Sequence, residues 1–114
     1  MRVLVVGAGR AGARVIKQLR KNPIIEIITV DPRADIYAVE QGIIESVDIQ
    51  EAFTPLTIDY VLEKAEPDLV LLAMATEDLG LGQAPGIEIL ADALRKEVAS
   101  DVKVPLIEIA RYGE

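Results

Sequence analysis

Val3-Leu4-Val5-Val6-Gly7-Ala8-Gly9-Arg10-Ala11-Gly12 is the stretch whose reading decides the fold. Four apolar, mostly β-branched residues read as a buried strand. Glycines at 7, 9 and 12 follow without a gap. Helical spacing then begins: Gly12 with Ile16, and Val15 with Leu19, stand four residues apart, which stacks each pair on one helix face. The next apolar run, Ile24 to Val30, leads into Asp31, 19 residues after Gly12. Strand, glycine loop, helix, second strand and terminal acid, in that order, form the fingerprint of a dinucleotide-binding βαβ unit.

Each position in the loop has a physical job in that reading. Gly7 allows a tight turn out of the strand, Gly9 lets a pyrophosphate approach the backbone, and Gly12 lets the helix pack closely. Backbone amides along the loop, those of Ala8, Arg10 and Ala11 included, then face the phosphates at the helix N-terminus. Asp31, in the turn Asp31-Pro32-Arg33, is expected to accept both hydroxyls of an adenosine ribose. Its charge would repel a 2′-phosphate, which favours NAD or NADH over NADP. Arg33 stands close enough to serve a 2′-phosphate if Asp31 turns away, or it is simply solvated.

Working outward, the first helix stops at Asn22-Pro23. Ala34 to Gln41 predicts a short helix closed by Gly42, and a third strand is expected near Val47. Thr54-Pro55 reads as an N-cap with proline at the first helical position. That helix carries Ile58, Val61, Leu62 and Ala65, and Glu66-Pro67 ends it. Leu69 to Ala75 is nearly all apolar, as a central parallel strand requires. A further helix is expected after Pro85, with Ile87, Leu90, Leu94 and Val98 on one side. Pro105 to Ala110 makes a fifth strand, and Glu108 within it suggests a sheet edge. Five strands and four crossovers predict one α/β domain over residues 1–114: a doubly wound parallel sheet in order 3-2-1-4-5, with helices on both faces.

In such sheets ligands bind at the strand carboxyl ends, where strand order reverses. Ala75-Thr76-Glu77-Asp78 falls there. Thr76 suits a ribose or phosphate; Glu77 and Asp78 suit a ribose contact, an acid–base pair or a solvated turn. Asp48, after the third strand, is either an adenine- or ribose-side contact or an ordinary turn aspartate.

Composition narrows the function. The chain has 114 residues, a net charge of −7, and neither cysteine nor histidine. The acidic balance disfavours nucleic acid. The commonest acid–base residue and metal ligand is missing, as is thiolate chemistry, so no catalytic residue and no metal are expected. Apolar residues make up 51%, which suits strands buried on both faces or a subunit interface. No run reaches the ~18 apolar residues of a membrane span, and the start lacks a signal peptide's layout. A cytoplasmic location is the expectation.

The loop Gly7 to Gly12, with arginine after the second glycine, resembles the nucleotide-binding domains of potassium-transport regulators, the RCK, KTN or TrkA-N domains. Asp31 matches that family's acid after the second strand. Val47-Asp48 is similar to its Gly-Asp pair, with valine for glycine. Ala75-Thr76-Glu77-Asp78 resembles its loop after the fourth strand, although the asparagine usual there is not evident, and Val104 to Arg111 resembles its closing strand. The resemblance implies a non-catalytic sensor: NAD, NADH or an adenine nucleotide such as AMP or ATP shifts a homodimer or ring coupled to a separate membrane transport subunit. The first two strands and Pro67 to Ala73 also resemble the cofactor domain of Gfo/Idh/MocA-type oxidoreductases, which implies hydride transfer with a further substrate domain. A third expectation is an interaction domain with a vestigial site.

Overall fold

Four parallel strands, β1 (Arg2–Val6), β2 (Glu26–Val30), β3 (Leu69–Leu72) and β4 (Leu106–Glu108), form one sheet in the order β2-β1-β3-β4. The computed structural model describes residues 1–73 and 102–109, and five helical positions between them: Ile89, Ala93, Lys96, Glu97 and Ser100. Three helices complete the described elements: α1 (Arg10–Leu19), α2 (Tyr37–Glu40) and α3 (Ile58–Ala65).

The strands are apolar on both faces because both are covered. Val3 and Val5 of β1 pack with Ala11, Ala13 and Ile16 of α1 and Ala38 of α2. Leu4 and Val6, one residue out of phase, pack with Ile58, Val61 and Ala65 of α3. Period-2 alternation along β1 therefore splits the core into two layers. In register, Val6 stands beside Val30 on one side and Leu72 on the other, and Leu72 stands beside Glu108.

The α/β class and the all-parallel sheet agree with the sequence, but the third strand differs. It is reduced to a single bridge, Val30 to Ile49. Ile43 and Val47 turn into the α1-side core, which draws the segment off the sheet. The Asp48 carboxylate then takes the Thr29 amide at 2.8 Å, a donor that a neighbouring strand would have paired.

The third helix also starts later than expected. Thr54 to Thr57 is a turn: the Thr54 hydroxyl accepts the Leu56 amide at 3.2 Å, and its carbonyl accepts those of Thr57 and Ile58. Pro55 thus sits in the turn, and α3 begins at Ile58. The helix closes on Glu66, held left-handed at φ 47°. Asn22 ends the first crossover by accepting the Ile24 amide over Pro23 at 3.1 Å. The five helical positions near the C-terminus are all exposed and fall off the apolar stripe read from the sequence, which itself lies outside the described residues. Within the described residues no helix is long and apolar enough to cross a membrane.

Candidate functional site

The chain leaves β1 through Gly7, whose φ is 102°. A Cβ would be strained there, so glycine is needed for the turn. Its amide still donates to the Val30 carbonyl at 2.8 Å, so the turn starts while the chain is on the sheet. A Cβ on Gly12 would lie 1.9 Å from the Gly7 carbonyl oxygen, well inside van der Waals contact. The first turn of α1 therefore presses directly on the end of β1, and only glycine permits it.

Gly9 is the N-cap of α1. Among the described residues no side chain caps the helix, and no acid sits in its first turn. The first-turn amides, from Arg10 to Gly12, have no partner within the helix and carry the positive end of its dipole. Such a terminus suits a phosphate or another anion. It also stands at the topological reversal, because the chain passes from β1 to β2 on one side and reaches β3 on the other.

Asp31 is at the end of β2, as expected, but its carboxylate faces inward. The residue is 1% exposed. Oδ2 accepts the Ala8 amide at 3.0 Å. Oδ1 accepts the Arg33 amide at 2.9 Å and its Nε at 3.1 Å, and the guanidinium Nη2 reaches Oδ2 at 3.2 Å. This bidentate fork with a backbone amide on each oxygen leaves little for a ribose. A ribose would have to take the place of Arg33.

Ala8 is tied on both sides. Its carbonyl accepts the Ala38 amide at 2.9 Å, so β2 and α2 together hold the loop. Arg10 is exposed and lies over the Tyr37 ring at 4.9 Å, which adds a second link to α2. Ala8, Gly9, Ala11 and Gly12 are buried, and Pro32 is exposed beside the half-buried Arg33. Gly7 to Gly12, Asp31, Pro32 and Arg33 are thus brought together.

Asp48 is not part of that group of contacts. Its Oδ2 accepts both the amide and the hydroxyl of Thr29, at 2.8 and 3.1 Å, and its own amide donates to the Thr29 hydroxyl. Ala75, Thr76 and Glu77 lie outside the described residues.

One carboxylate has a role beyond the sheet edge that its place in the sequence suggests. Glu108 ends β4 beside Leu72, and its Oε1 is buried with no hydrogen-bond partner among the described residues. An acid among apolar strand residues was the available signal. Among the described residues no group of three or more acidic side chains is placed to hold a metal ion.

No family model matches the chain, and no curated protein or solved structure is significantly similar to it.

Proposed function

We propose that the chain is a nucleotide-binding regulatory module that takes NAD or NADH, or an adenine nucleotide, on the loop from Gly7 to Gly12. In this reading the sheet is a Rossmann-like doubly wound one, with the bridge at Ile49 as the remnant of its outermost strand, in order 3-2-1-4-5. The protein senses rather than reacts: ligand occupancy biases the conformation of a homodimer, of the kind that partners a separate membrane transport subunit in the potassium-transport regulators it resembles.

The observation that carries the reading is the contact of Gly12 with the Gly7 carbonyl. It brings an uncapped helix terminus onto the end of β1 at the point where strand order reverses. Pyrophosphate needs both the close backbone approach and the free amides.

Asp31 favours a second reading, an interaction domain with a vestigial site. Its lone pairs are spent on Ala8 and Arg33. For the first reading to hold, ligand must displace the Arg33 fork. With Arg33 on Asp31, the charge that would exclude a 2′-phosphate is already matched, so NADP belongs in the test.

A thermal-shift panel with NAD, NADH, NADP, AMP and ATP separates the two. A ligand at 100 times its dissociation constant adds about 2.7 kcal/mol. NAD or NADH is expected to give the largest shift, and no shift with any ligand leaves the interaction domain.

A further inference from the structure

A groove of about 350 Å³ runs beside β2, along the second half of α1. It exists because α2 has four residues and the segment at Ile49 gives one bridge, so this face of β2 is only partly covered. Ile27 and Ile44, both half-buried, supply its apolar surface, with Ile16 behind them. Arg20 lies ten residues after Arg10, about 15 Å further along the helix, so the groove is separate from the glycine loop.

Three charged side chains line this space: Arg20 from the C-cap of α1, and Glu45 and Asp48 from the segment before Ile49. Asp48 is held in one orientation, since Oδ2 takes both Thr29 donors. Its Oδ1 has no protein partner among the described residues. Arg20 forms no ion pair with either acid among the described residues, where the ion pairs are Arg2–Glu26 and Arg33–Asp31. A guanidinium and an oriented carboxylate, both exposed, therefore line one mainly polar groove to which Ile16, Ile27 and Ile44 add apolar surface, and no ion pair joins the two charges among the described residues.

We propose that this groove binds a free α-amino acid with an aliphatic side chain. The α-carboxylate takes the Arg20 guanidinium, the α-ammonium takes Oδ1 of Asp48 with Glu45 nearby, and the side chain lies on Ile27 and Ile44. A ligand carrying both charges can pair with Arg20 and Asp48 at once, whereas a singly charged one can pair with only one of them. The volume is at the small end of the usual ~300–1,000 Å³ for ligand pockets, which suits an amino acid and is too small for a dinucleotide. The proposal does not depend on nucleotide binding, because none of these residues belongs to the glycine loop.

The test titrates the full chain with L-leucine, followed by amide NMR shifts and by calorimetry. Saturable one-to-one binding is expected, with shifts centred on Thr29, Ile44 and Asp48. Leucine amide, which lacks the carboxylate, and 4-methylpentanoate, which lacks the ammonium, are expected to bind at least ten times more weakly. Arg20 is exposed, so Arg20→Ala is expected to keep the unfolding midpoint and weaken leucine at least tenfold. Absence of saturation by leucine, equal binding of either single-charge analogue, or unchanged leucine affinity in Arg20→Ala overturns the proposal.

Discussion

The Asp31 carboxylate accepts the Ala8 amide hydrogen at 3.0 Å, joining the end of β2 to the glycine loop across 23 residues of chain. The bond is buried, and Ala8 is in turn held by Ala38. An acid expected to wait for a ribose is instead part of what shapes the loop. Asp31→Ala would leave the Ala8 amide unsatisfied and Arg33 without its carboxylate. It is expected to destabilise the fold by about 2–3 kcal/mol in urea unfolding. Asp31→Asn keeps an acceptor for Ala8 and is expected to cost less. A neutral Asp31→Ala would return Asp31 to a ligand-binding role alone.

Gly12→Ala places a methyl group 1.9 Å from the Gly7 carbonyl oxygen. Backbone lies on both sides of that contact, so no side chain can move to relieve it. The expected loss is at least about 3 kcal/mol, at or above the usual upper range for overpacking. Circular dichroism and urea midpoints check it, and a variant as stable as the parent would show that α1 does not press on β1.

Thr29 and Asp48 bond each other through three contacts. Asp48→Ala strands the buried Thr29 amide and is expected to cost about 1–3 kcal/mol. Thr29→Val loses only the hydroxyl and is expected to cost about 1 kcal/mol. Because the two share partners, the double variant should cost less than the sum. Additive losses would mean that the pair does not hold the segment onto β2.

Glu66 ends α3 at φ 47°, a conformation that costs a side chain but not glycine. Glu66→Gly is expected to stabilise the fold by about 1 kcal/mol. A lower thermal midpoint for the variant would count against this left-handed helix end.

Glu108 carries a buried carboxylate oxygen with no hydrogen-bond partner among the described residues. Glu108→Leu removes that unmet demand on a strand whose neighbours are apolar, and is expected to raise stability by about 1 kcal/mol. A loss of similar size would indicate that the carboxylate is satisfied in solution.

Among the described residues, the alternation of strand and helix was legible in the sequence except at the third strand, because periodicity and punctuation are local. Val3 to Val6 reads as a strand buried on both faces, Gly7 to Gly12 as a tight turn into a helix, and Asn22-Pro23 and Glu66-Pro67 as helix ends. Tertiary structure settled what these residues do with their polar atoms. Whether Asp31 faces a ligand or Ala8 depends on where the glycine loop and Arg33 come to rest. Whether Val47 to Ile49 forms a strand depends on whether Ile43 and Val47 are drawn into the core. Apolar spacing is written along the chain; the partner of a carboxylate is chosen in space, by residues that the sequence keeps far apart.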